Sequence, residues 1–101
     1  MSRFAQQTRL VATHGCGETL LAKFIEAAHI QQTNPSCELM LAGTSASEQD
    51  VVYLIEVWTN EAEWNQARAS DAIKSWSQGM PDLVAEPPHS VRIDQISGKG
   101  I

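Results

Sequence analysis

The eight residues VVYLIEVW, 51 to 58, are apolar at nearly every position. A strand sends alternate side chains to opposite faces. This one therefore presents Val51, Tyr53, Ile55 and Val57 on one side and Val52, Leu54, Glu56 and Trp58 on the other. Both faces need cover, and one of them holds a single carboxylate. Residues 3 to 12, RFAQQTRLVA, read as a first strand that ends at the turn THGCG, where Gly15 and Gly17 free the backbone. ETLLAKFIEAAHIQQ follows with apolar residues at 20, 21, 24, 25 and 28, the spacing of one helix face. Glu18 suits its positive end, and Pro35 in TNPS stops it. CELMLAGTS is a second strand, joined to the third by a polar hairpin loop, SASEQD.

After Trp58 the period changes. Asn60 with Glu63 three residues on has the layout of a capping box, and opens a helix on which Trp64 and Ala67 or Arg68 share a face. Ser70, a second cap, divides the region into two helical pieces. Ile73, Trp76 and Met80 line one side of the second piece, and Pro81 is expected to end it. A loop with Pro87 and Pro88 leads to SVRIDQIS, a last strand with Val91 and Ile93 facing inward.

The order is β-α-β-β-α-β over residues 1 to 101, read as one domain with its core over 3 to 97 and a short C-terminal tail. That pattern predicts an α+β, ferredoxin-like fold: helices on one face of an antiparallel four-stranded sheet. The helices cover one face of the third strand, and the pattern leaves open which. The other face is a contiguous apolar patch, which monomers usually avoid. A second copy of the chain is the simplest cover, so a homodimer is expected, sheet against sheet.

Charge removes one class of partner. Seven Lys plus Arg stand against twelve Asp plus Glu, for a formal net charge of -5, and the basic residues are scattered singly. Nonspecific nucleic-acid binding rests on clustered cations, so no nucleic-acid partner is expected. No stretch approaches the ~20 apolar residues of a membrane span, and MSRFAQQTRL lacks a signal-like apolar run. The expected location is cytoplasmic, with no membrane partner and with Cys16 and Cys37 as free thiols. No metal-ligand motif appears: the cysteines lack C-x-x-C spacing, and His14, His29 and His89 lie far apart.

The run from Tyr53 to Trp64, YLIEVWTNEAEW, resembles the signature segment of the antibiotic biosynthesis monooxygenase family. NPSC at 34 to 37 and ARAS at 67 to 70 fall at the intervals found there, and the resemblance spans residues 5 to 96. It implies a dimeric α+β barrel and a monooxygenase that needs no metal or flavin cofactor. It leaves the substrate open, since the family includes quinol and polyketide oxygenases, haem-degrading enzymes and an isomerase. Many members carry a histidine where this chain has Ala67. The three positions that mark the haem-degrading branch hold Thr8, Ala67 and Ser77.

Candidate catalytic residues are Glu56, Arg68 and Thr8. A carboxylate in an apolar strand must be paired, hydrated or protonated. Glu56 is thus either an acid–base group lining a pocket or a structural partner of Arg9 or Arg92. Arg68 and Arg9 are candidate supports for a phenolate, or ordinary surface cations. Thr8, with Gln6 and Gln7, puts polar groups where apolar ones would pack better. The candidate substrate-binding set is Trp58, Trp64, Trp76, Tyr53, Phe24 and Arg9: aromatics can hold a flat ring while an indole N–H orients it, or simply fill the core. The expected function is cofactor-independent oxygenation of a hydroquinone or polycyclic phenol by dioxygen. The alternatives are an isomerase or a non-catalytic ligand-binding dimer of the same fold.

Overall fold

The computed structural model describes residues 3–101. Four strands, β1 (Phe4–Val11), β2 (Cys37–Thr44), β3 (Val51–Trp58) and β4 (His89–Ile93), form one sheet in the order β2-β3-β1-β4. Every neighbouring pair is antiparallel. Helix α1 (Gly17–Ile30) links β1 to β2, and three short helices, α2 (Glu61–Arg68), α3 (Asp71–Trp76) and α4 (Met80–Leu83), link β3 to β4. This is the ferredoxin-like arrangement expected from the pattern.

Register decides which face of β3 meets the helices. Phe4, Gln6, Thr8 and Leu10 of β1 stand opposite Trp58, Glu56, Leu54 and Val52 of β3. Leu10, Val52 and Leu54 join Leu20 and Phe24 of α1 in the main core, and Phe4 and Trp58 join Ala67 of α2 in a second. The even-numbered set, with its glutamate, is therefore the helix-facing one. The odd-numbered set faces away. Val51 and Val57 on that side are already buried, whereas Tyr53 and Ile55 are only half-buried, and Leu41 and Val91 are 46% and 50% exposed.

Helix α1 buries Gly17, Leu20, Phe24 and Ala27, a stripe at three- and four-residue steps. Ile25, expected in that stripe, is instead 43% exposed. The helix has no side-chain cap of its own. The carboxylate of Asp50, at the end of the β2–β3 loop, accepts from the N–H of Gly15 at 2.9 Å and of Gly17 at 3.1 Å. An anion thereby sits on the free donors at the positive end of the helix.

Two caps separate α2 from α3 as the sequence foretold. Asn60 Oδ1 accepts from Glu63 N at 2.9 Å, and Ser70 Oγ from Ile73 N at 3.3 Å. The reciprocal half of the capping box is absent, because Glu63 Oε2 accepts from Ser36 Oγ instead. Pro81 does not terminate a helix: α3 stops at Trp76, and Pro81 sits in the first turn of α4, where its missing N–H costs nothing. The last strand is shorter than expected, ending at Ile93. Val91 and Ile93 do share a face, but it is the outer face rather than the interior one, since their partners on β1 are Gln7 and Ala5. No helix among the described residues is long and apolar enough to cross a membrane.

Candidate functional site

Between the sheet and the helices lies a cavity of about 490 Å³. That size and position suit a small-molecule site. Its floor is the helix-facing row of the sheet: Gln6, Thr8 and Leu10 of β1, Leu54, Glu56 and Trp58 of β3, Met40 of β2 and Ser90 of β4. Phe24, Ala27 and Gln31 close one side from α1 and the residue following it. Trp64, Ala67 and Arg68 of α2, then Ile73, Trp76 and Met80, close the other. Residues on both sides of the break at Ser70 line the space, as does Val84, which is bridged to Ala12.

The polar groups are few and specific. Glu56 is only 5% exposed. Its Oε2 accepts from Gln6 Nε2 at 3.1 Å and its Oε1 from Trp58 Nε1 at 2.9 Å. Neither arginine considered from the sequence pairs with it. Arg9 pairs with Glu48, and Arg92 with Glu61 and Asp94. Among the described residues no cation lies within ion-pair distance of Glu56. Thr8 and Ser90 face each other across β1 and β4 with their hydroxyl oxygens 2.9 Å apart. One hydroxyl donates to the other, which leaves one O–H free.

The tryptophans divide by what their N–H groups do. Trp58 is spent on Glu56, and Trp76 donates to the carbonyl of Lys23 at 2.6 Å while its ring meets Phe24 edge-on at 5.3 Å. Trp64 stacks on Phe4 at 4.3 Å and carries the Arg68 guanidinium over its ring at 4.5 Å. Among the described residues, only Trp64 of these three donates its indole N–H to no protein acceptor. Cys37, packed beside Phe4 and Trp58, has its thiol pKa pushed up by burial and, secondarily, by the negative field of Glu56, against a lowering backbone hydrogen bond at Leu39.

Seven of the nine residues singled out from the sequence line this one space: Glu56, Arg68, Thr8, Trp58, Trp64, Trp76 and Phe24. Tyr53 and Arg9 do not. They are paired in register on the outer face of the sheet, where Glu48 raises the Arg9 pKa and Tyr53 adds to it. A one-residue step along a strand reverses the face, and both residues lie an odd number of steps from Glu56 and Thr8. Gln31 and Ser90 were not anticipated. Both fall within runs read from the sequence, Gln31 four residues after Ala27 on the helix stripe and Ser90 at the start of the last strand, but as single polar residues at element ends they carry no signal of their own.

The sequence profile of the antibiotic biosynthesis monooxygenase family matches residues 3–79. The chain belongs to that family. The match takes in every cavity residue up to Trp76. A crystal structure from Pseudomonas aeruginosa superposes with a TM-score of 0.84 at 13% identity, covering 96% of this chain and 97% of that one. One from Shewanella oneidensis gives 0.82 at 22%, covering 93% and 91%. A candidate antibiotic biosynthesis monooxygenase from Caulobacter crescentus gives 0.84 at 16%, covering 95% and 92%. At these identities the likeness is one of fold, and it extends through β4, beyond the family match. No curated protein matches the chain.

Proposed function

We propose that the protein is a cofactor-independent monooxygenase that converts an electron-rich phenol to a quinone with dioxygen. One observation carries the reading: a cavity walled by Phe24, Trp58, Trp64 and Trp76 into which a buried, cation-free carboxylate, Glu56, projects. Flat aromatic walls hold a ring in place, and a positioned carboxylate can take a phenolic proton. Family membership supports the same chemistry.

The reaction balances without an added reductant. Glu56 accepts the phenol O–H proton, and the phenolate gives one electron to O₂. Superoxide and the phenoxyl radical join at the ring carbon para to the oxygen, and the peroxide takes the proton back from Glu56. Loss of that carbon's hydrogen as a proton, with cleavage of the O–O bond, leaves a quinone and one water. One oxygen atom enters the product, and the substrate supplies every electron. Thr8 with Ser90, and the Trp64 N–H, offer donors to the developing oxyanion; Arg68 at the rim adds positive charge. A panel of naphthols, quinols and anthrones tests the reading by oxygen uptake, with ¹⁸O₂ label expected in the quinone. No uptake above the buffer rate with any of them removes it.

The alternative is a ligand-binding module or isomerase. The small, 8% exposed Ala67 favours it, because a side chain there contributes wall and no proton chemistry. Turnover without oxygen would identify an isomerase, and binding without turnover a module.

The same reading includes a homodimer. Leu41, Val91, Tyr53 and Ile55 leave an apolar strip on the outer face, and burial recovers about 25 cal/mol per Å². Sedimentation of the wild type should give a dimer, and Ile55→Glu a monomer. A stable wild-type monomer overturns this part. Unbridged Cys16 and Cys37 support a reducing, cytoplasmic location.

A further inference from the structure

The chemistry that places Glu56 in the cavity also restricts what can share it. Both carboxylate oxygens are held by neutral N–H donors, Gln6 Nε2 and Trp58 Nε1, and the group is 5% exposed. An ionised carboxylate has about four lone-pair sites, so two remain for a ligand. Among the described residues the one cation on the cavity wall, Arg68, is exposed and lies over Trp64. Water and salt screen a charge at that position far more than one under the helices. The field inside is therefore set by the buried anion.

We propose that Glu56 makes the cavity charge-selective: it admits flat aromatic ligands that present a hydrogen-bond donor or a positive charge, and rejects aromatic anions such as carboxylates. This rests on the reading of the cavity as the substrate site. The discrimination is largely repulsive, since an anionic ligand would have to lose its water beside a carboxylate that has no cation of its own. A phenol meets the same group as a donor meeting an acceptor. The substrate consequently enters as the neutral phenol and loses its proton only once bound.

Three probes with one ring system test this: 2-naphthol, 2-naphthylmethylammonium and 2-naphthoate. Binding is read without oxygen from the quenching of the cavity tryptophans. The first two should bind at least tenfold more tightly than naphthoate to the wild type, and Glu56→Gln should bring all three within about threefold. Arg68→Gln should keep or widen the wild-type preference, which serves if Glu56→Gln fails to fold. Naphthoate binding as tightly as naphthol, a preference that survives Glu56→Gln or vanishes in Arg68→Gln, or no binding by any probe each overturns the inference. Selective binding with no oxygen uptake would retire only the oxygenase. Uptake in an unselective cavity would retire only the charge filter.

Discussion

Glu56 and Trp58 lie two residues apart on β3, so their side chains emerge on the same face, and the indole N–H of one donates to the carboxylate of the other at 2.9 Å. The bond is buried at both ends, with Trp58 1% exposed. Trp58→Phe removes the donor, leaves a lone pair of a buried carboxylate unserved and opens a small void. We expect a loss of about 2–4 kcal/mol, from a hydrogen bond to a charged group plus lost packing. Trp64→Phe breaks no hydrogen bond and should cost less than half as much. Urea denaturation of both variants provides the comparison, and equal costs would mean that the Glu56–Trp58 bond contributes little.

The same pair illustrates what the sequence discloses. The alternation in VVYLIEVW fixes that Glu56 shares a side with Trp58, and the capping residues Asn60 and Ser70 mark where α2 and α3 begin. The partner of Glu56 was another matter. Arg9 and Arg92 were the obvious cations, yet the group that reaches it is Gln6, directly opposite on β1. Only the register between two strands distant in sequence brings them together, and register is set by the packing of the whole face. Tyr53 and Arg9 are a different case: their residue types suit a binding site, but strand parity, legible within each strand, puts Tyr53 on the other face from Glu56 and Arg9 on the other face from Thr8. Pro81 has the same residue-level signal at the end of one helix as in the first turn of the next.

Ala67 forms cavity wall between Trp64 and Arg68 and is 8% exposed. Ala67 packs with Phe4 and Trp58 but also lines the cavity, so a larger apolar residue has the cavity to extend into. Ala67→Leu should therefore change stability by less than about 1 kcal/mol, well short of the usual cost of overpacking, while weakening naphthol binding at least tenfold. Thermal unfolding and fluorescence titration separate the two effects. Undiminished binding would place the ligand elsewhere.

Gly17 opens α1 against the β2–β3 loop. A Cβ there would come within 3.0 Å of both the Cα and Oδ1 of Asp50, which holds a left-handed φ of 62°. Asp50, whose carboxylate caps the helix, would have to give by a few tenths of an ångström to admit it. Gly17→Ala should destabilise the protein by about 1–3 kcal/mol. Gly43 on β2 has open space at its Cβ position, so Gly43→Ala should leave the protein as stable or firmer by about 0.5 kcal/mol. Their melting temperatures should move in opposite directions, or only Gly17→Ala should fall. Two equal falls would contradict the close approach at Gly17.

Cys37 offers a way to sense the charge in the cavity. Burial, aided by the field of Glu56, raises its thiol above the ordinary 9.0. The folded state thus holds the proton more tightly than the unfolded chain. The associated stability is complete below about pH 9 and is lost as pH climbs through the folded value. Wild type should lose ground to Cys37→Ala only as the pH rises above about 9, as read from paired urea titrations. Alkylation of Cys37 should likewise level off at a higher pH than that of an exposed thiol, because the thiolate is the reactive form and its pKa is raised. In Glu56→Gln the negative contribution disappears while most of the burial stays, so the alkylation midpoint should move downward but remain above that of an exposed thiol. An unmoved midpoint would mean that burial alone raises the Cys37 thiol and that Glu56 exerts no field on it.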